Sequence, residues 1–155
     1  MNAKVGEMAP DFRLLNQETK HRSLSDYRGK KTALLFFPGA FTGVCTKEMC
    51  TFRDSMSKLN AAKSNVVGIS VDSPFTLAQF RKENNLNFEL LSDGNRETSR
   101  KYGVLDEKFV GIEGLSASKR SVFILDEKGK ILHEWISQDP KVEPDYDDVL
   151  KRLNK

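Results

Sequence analysis

The strongest constraint on the fold is an apolar run that stops at a proline. Thr32-Ala33-Leu34-Leu35-Phe36-Phe37 stands between Lys30-Lys31 and Pro38-Gly39, and a short run without polar alternation predicts a strand buried on both faces. Beyond the loop from Pro38 to Gly43, apolar residues recur at Met49, Phe52, Met56 and Leu59, a spacing that marks one face of a helix. Val66-Val67-Gly68-Ile69-Ser70-Val71 then returns to a β-rich run. The first unit is therefore strand, helix, strand, the building block of an α/β fold.

The rest of the chain continues the alternation. Ser73-Pro74 supplies a cap followed by proline at the first helical position, with Leu77 and Phe80 as the inner face of a second helix. Phe88 to Leu91 reads as a short strand, Asp93-Gly94-Asn95 as a turn, and a brief helix through Ser99 and Arg100 ends at Gly103. Ser121-Val122-Phe123-Ile124-Leu125 and Ile131-Leu132-His133-Glu134-Trp135 flank a turn containing Gly129, which predicts a hairpin. Pro144 opens the last helix, whose inner face is Tyr146, Val149, Leu150 and Leu153. Strands and helices that alternate and finish with a hairpin and a helix predict a mixed central sheet flanked by helices, the order of the thioredoxin-like fold.

A chain of 155 residues supports one core, so residues 1–155 are expected to form a single domain. Apolar residues at 38% and charged residues at 30% suit a globular protein. The net charge of +3 is spread along the chain without a basic block, which argues against nucleic-acid binding. The amino end lacks the apolar core of a leader peptide and no apolar run reaches membrane-spanning length, so a soluble cytoplasmic protein is expected, with no membrane partner. There Cys45 and Cys50 are expected to rest as thiols.

The stretch from Phe36 to Cys50 carries the chemistry. It sets Cys45 in the first turn of a helix after a buried strand, where unsatisfied N–H groups and the helix dipole favour the nucleophilic thiolate. The Thr42 hydroxyl is placed to bond the sulfur or a bound substrate, or else to cap the helix. Pro38 offers no N–H and packs a ring beside the pocket. A thiolate nucleophile passes negative charge to the group that it displaces, so donors are needed where that charge gathers. Arg120, just before an apolar strand, offers a charged, rigid fork, and N–H groups near Val44 and Cys45 are candidates for the rest. The alternative for Arg120 is a solvated surface charge, and Glu48, near the start of the same helix, has a dipole reason of its own to be there.

Pro38, Thr42 and Cys45 spell a Pro-x-x-x-Thr-x-x-Cys motif that resembles the peroxiredoxins. The resemblance extends from Ala9-Pro10-Asp11-Phe12, through Leu24-Ser25-Asp26-Tyr27 and Val67-Gly68-Ile69-Ser70, to Arg120-Ser121-Val122-Phe123-Ile124-Leu125. It implies a thiol-dependent peroxidase that reduces hydrogen peroxide and organic hydroperoxides, as a monomer or homodimer without a cofactor or metal. Cys45 would be the peroxidatic cysteine, Thr42 and Arg120 its partners, and Glu48 the residue that orients the arginine. The Cys45-x-x-x-x-Cys50 spacing resembles the bacterioferritin-comigratory-protein branch, whereas Ala40 to Cys45 looks closer to branches that often use one cysteine. Cys50 is accordingly a resolving thiol or a packed core residue. The sulfenic acid on Cys45 would be returned to the thiol by a thioredoxin-like or glutaredoxin-like donor.

Two other classes fit the same fold. Disulfide exchange usually wants Cys-x-x-Cys, a different spacing from the one here. A chaperone or copper-binding module would use the cysteines as ligands, yet His21 and His133 make no ligand motif with them.

Overall fold

The computed structural model describes residues 3–55 and 64–154. Among these the elements run β1 (Arg13–Asn16), β2 (His21–Ser23), β3 (Lys31–Phe36), α1 (Gly43–Ser55), β4 (Ser64–Ser70), α2 (Pro74–Glu83), β5 (Glu89–Ser92), α3 (Glu97–Lys101), β6 (Leu105–Asp106), β7 (Ala117–Ser118), β8 (Ser121–Leu125), β9 (Ile131–Ile136) and α4 (Tyr146–Asn154). Seven strands form one sheet in the order β2-β1-β5-β4-β3-β8-β9, and β6 with β7 forms a separate pair. β4 lies parallel to both β3 and β5, while β8 and β1 join them antiparallel. This is the mixed sheet that the alternating pattern predicts.

Because side chains alternate across a strand, the central strands feed two cores. Ala33 and Leu35 of β3, with Val66 of β4 and Val122 of β8, point toward Met49 and Phe52 of α1, Leu77 and Phe80 of α2, and Val149, Leu150 and Leu153 of α4. Leu34 and Phe36, with Val67, Ile69 and Phe123, face the opposite way toward Phe12, Leu24, Tyr27, Tyr102 and Val104. An unbroken apolar run is what this two-sided cover demands.

Gly68 lets the Leu90 side chain of β5 pack directly over β4. A Cβ there would stand 2.7 Å from Leu90 Cδ2, 3.2 Å from Phe37 and 3.5 Å from Met49 Sδ. The Leu90 side chain fills the space that a side chain would take, with Met49 of α1 in ordinary contact beside it, and Met49 lies one helical turn beyond Cys45 on the same face.

Local signals behave as their chemistry requires. Ser73 Oγ accepts the N–H of Thr76 at the start of α2. The last helix begins at Tyr146 rather than at Pro144, because the Asp145 carboxylate accepts the N–H of Asp148 and the Asp145 carbonyl that of Val149. Met56 and Leu59, read as part of the α1 stripe, lie outside the described residues. The short β1–β2 and β6–β7 pairs were not foreseen; they have two to four residues per strand, too few to display a period. Among the described residues, no helix is long and apolar enough to cross a membrane.

Candidate active site

The loop between β3 and α1 is held before any functional side chain is placed. Phe37 N–H donates to the Ile69 carbonyl at 3.0 Å, and Ala40 N–H donates to Asp72 Oδ2 at 2.8 Å. The same Asp72 oxygen accepts the Ser70 hydroxyl at 2.6 Å. Pro38 is buried between these two anchors. Phe41, with a φ of 65°, takes the left-handed conformation that side chains seldom adopt, and its ring meets Phe80 edge-on at 5.3 Å. Anchors on both sides hold that turn and let the chain reverse into α1.

Thr42 stands at the helix start. Its carbonyl accepts the Thr46 N–H at 2.9 Å, the first rung of the α1 ladder. The N–H groups of Gly43, Val44 and Cys45 come before that rung, where a helix leaves its donors without intrahelical acceptors. The Thr42 hydroxyl donates to the Gly39 carbonyl at 2.8 Å. Its proton is thereby committed, and its oxygen keeps lone pairs with which to accept.

Cys45 points inward and keeps 1% of its surface exposed. Arg120 meets it from the edge of β8, with Nη2 3.3 Å from Cys45 Sγ. Nη1 donates to Glu48 Oε1 at 2.7 Å, and Nε and Nη2 both donate to the Pro140 carbonyl, at 3.2 and 2.9 Å. The guanidinium is thus fixed on three sides. Burial works against its charge, but Glu48 and Cys45 outweigh burial and raise its pKa. Arg120 is 2% exposed, so the reading of a solvated surface arginine fails.

Glu48 is fully buried one turn along α1, and its second oxygen, Oε2, has no hydrogen-bond partner. Burial pushes its carboxyl up to about 7 against the opposing pull of Arg120. Glu143 lies beyond it, taking the Tyr146 hydroxyl at 2.7 Å and Lys47 at 3.1 Å. The Tyr146 hydrogen bond holds the Glu143 carboxyl low, with Lys47 assisting. A cleft of about 250 Å³, lined in part by Phe109, Lys119, Ser137 and Pro140, opens on the Arg120 side.

The structure therefore brings Cys45, Glu48 and Arg120 into direct contact, with Pro38 and Thr42 in the loop that leads into the same helix. Cys50 is separate. It lies in the second turn of α1, half-buried, and its Sγ donates to Asn84 Oδ1 at 3.6 Å, so the two thiols leave the helix in different directions. Pro140, Asp72 and Asn84 escaped the sequence reading. Pro140 acts through a backbone carbonyl, which carries no residue signature, and Asp72 was adjacent to the Ser73-Pro74 cap without being singled out. His133 is half-buried 3.9 Å from Asp148, away from this group. Among the described residues, no group of three or more His, Cys, Asp or Glu side chains is placed to hold a metal ion.

The chain is similar to known proteins over most of its length. The sequence model of the AhpC/TSA family matches residues 5–134. The chain is 45% identical over 129 residues to a putative peroxiredoxin bcp of Haemophilus influenzae, covering 83% of each chain. It is 36% identical over 152 residues to peroxiredoxin Bcp of Escherichia coli K12, covering 98% of this chain and 96% of the relative. Among solved structures, peroxidoxin BcpB from Mycobacterium tuberculosis superposes with a TM-score of 0.84 at 30% identity, over 98% of this chain and 97% of that one. A peroxiredoxin-like protein from Aquifex aeolicus gives a TM-score of 0.88 at 26% identity, over 99% and 87%. These matches establish the thioredoxin-like class of the fold and resolve the open choice of branch toward Bcp.

Proposed function

Since this chain belongs to the AhpC/TSA family and is a Bcp-type, thiol-dependent peroxidase, we propose that Cys45 is its peroxidatic residue, with Arg120, Thr42, Glu48 and Pro38 building the site around it. The observation that carries this reading is the 3.3 Å contact from Arg120 Nη2 to Cys45 Sγ inside a buried ion pair. A guanidinium so placed meets the sulfur while it is negative and the substrate oxygen as it becomes so. Thr42 Oγ1, with its proton given to Gly39, accepts the O–H of hydrogen peroxide or an organic hydroperoxide and turns the O–O bond toward the sulfur. Pro38 closes the apolar side of the pocket, and Glu48 fixes the plane of the arginine.

In the first step the Cys45 thiolate attacks the nearer peroxide oxygen. The S–O bond forms, the O–O bond breaks, and the departing oxygen takes a proton to leave as water or alcohol. Sulfur is oxidised by two electrons and the peroxide reduced by two. In the second step the Cys50 sulfur attacks the Cys45 sulfenic acid, the S–S bond forms, the S–O bond breaks, and hydroxide leaves with the Cys50 proton as water. Residues five apart in a regular helix have Cα atoms roughly 8 to 9 Å apart, beyond the roughly 7 Å reach of a disulfide. The second step therefore requires α1 to open between Cys45 and Cys50. A thioredoxin-like or glutaredoxin-like dithiol then reduces the bridge, and a cytoplasmic setting keeps the resting thiols free.

Mass spectrometry after one equivalent of hydrogen peroxide tests both steps. The expected product has lost about 2 Da through disulfide formation and yields a cross-linked Cys45–Cys50 peptide, while Cys45→Ser consumes no peroxide. Peroxide turnover near the wild-type rate in Cys45→Ser would remove the first assignment. A wild-type protein that stops at the sulfenic adduct, together with full activity in Cys50→Ser, would remove the second.

A further inference from the structure

The C-terminal cap of α2 grips the proposed resolving thiol. Asn84 follows the last residue of α2, and besides its N–H, which donates to the Phe80 carbonyl at 3.2 Å, three of its groups are engaged. Its Oδ1 accepts Cys50 Sγ–H at 3.6 Å, its Nδ2 donates to the Phe80 carbonyl at 3.0 Å, and its own carbonyl accepts Arg53 Nη1 at 2.6 Å. The next residue, Asn85, has a φ of 50°, and Asn87 Nδ2 reaches the Arg53 carbonyl at 3.5 Å. The reversal between α2 and β5 is thereby fastened to α1 at two heights, one at Cys50 and one a turn further on at Arg53.

These two attachments differ in strength. A guanidinium on a carbonyl at 2.6 Å is a charge-assisted bond, whereas a thiol is a weak donor. When α1 opens between Cys45 and Cys50, the Arg53 attachment holds the lower part of the helix in place. The Cys50 attachment is the one that must break.

We infer that Asn84 is a positioning residue whose side chain holds Cys50 against α2 in the reduced protein, so that release of this bond helps set the rate at which the Cys45 sulfenic acid is resolved. The inference rests on the reading of Cys50 as the resolving thiol. Its consequence is a longer-lived sulfenic acid. A sulfenic acid that waits longer is exposed to a second peroxide and to sulfinic oxidation.

Rapid mixing of reduced protein with peroxide, quenched at intervals and analysed by mass spectrometry, separates sulfenic formation from disulfide formation. Asn84→Ala is expected to leave the first rate within about twofold and to speed the second about three- to tenfold, the effect of losing one modest hydrogen bond. It should also yield less sulfinic acid at high peroxide. Asn84→Asp keeps an oxygen for Cys50, loses the donor to Phe80 and adds a negative charge that holds the thiol proton more firmly, so it should resolve no faster than wild type. An unchanged or slower second rate in Asn84→Ala overturns the inference. Equal acceleration in the Ala and Asp variants also overturns it, since the cause would then be loss of the α2 cap. If the wild-type protein forms no Cys45–Cys50 disulfide, the resolving role itself fails and the inference with it, an outcome distinct from an intact disulfide step that ignores Asn84.

Discussion

Glu48 and Arg120 meet at 2.7 Å with 0% and 2% of their side chains exposed, and only one of the two carboxylate oxygens is used. A carboxyl that burial has pushed up to about 7, against an unfolded value near 4.5, binds its proton more tightly when folded. Its contribution to stability is then fully present below about pH 4.5 and is lost as pH rises through about 7. Glu48→Gln cannot titrate. The stability of wild type relative to Glu48→Gln should therefore fall between pH 5 and pH 8, measured as the difference between their thermal midpoints. Parallel midpoints across that range would show that Glu48 folds with its ordinary affinity for a proton.

Arg120→Lys keeps a charge and loses the fork. An ammonium cannot hold Glu48, Pro140 and the Cys45 sulfur at once in the geometry recorded here. A loss of about 2 to 4 kcal/mol in transition-state stabilisation is expected, the range for an oxyanion-type donor. A change in kcat/KM for hydrogen peroxide below about threefold, less than 1 kcal/mol, would leave Arg120 with a structural role.

Thr42→Val removes the hydroxyl and keeps the shape. With the bond to the Gly39 carbonyl gone and no oxygen left to accept the peroxide O–H, the peroxide rate should fall severalfold, consistent with a hydrogen bond worth about 1 kcal/mol. Thr42→Ser should retain most of the rate. Equal rates in the two variants would reduce Thr42 to a packing residue.

Gly68→Ala tests the close packing of Leu90 over β4. The added methyl would meet Leu90 Cδ2 at 2.7 Å in the centre of the molecule. Overpacking of this kind costs typically about 1 to 3 kcal/mol. Chemical denaturation should show a lower midpoint with an unchanged slope. A midpoint equal to wild type would mean that Leu90 and Met49 move aside without strain.

The parts of the site that were legible in the sequence are those whose signal is local. A buried strand ending at Pro38, then Thr42 and Cys45 at a helix start, places a thiol beside free N–H donors by the geometry of helices alone. Arg120 was readable through its position before an apolar strand, although its three-sided fixation was not. Pro140 contributes a carbonyl, which any residue could supply. The link from Asn84 to Cys50 spans 34 positions, and no periodicity reports on such a distance. Short strands such as β1 and β2 are also invisible, because their pairing is decided by the neighbouring strand rather than by their own composition.

Cys45 shows 1% of its surface to the outside, and that figure divides the molecules that can reach it by width. A two-oxygen oxidant can pass between side chains that fluctuate by an ångström or so, while the face of another protein cannot. In the cycle proposed for this chain, the oxidised sulfur is therefore insulated from protein reductants for as long as α1 stays wound, however abundant they are. In that proposal, winding and unwinding of a single helical turn is the commutator of the cycle, connecting the sulfur to oxidant in one state and to reductant in the other.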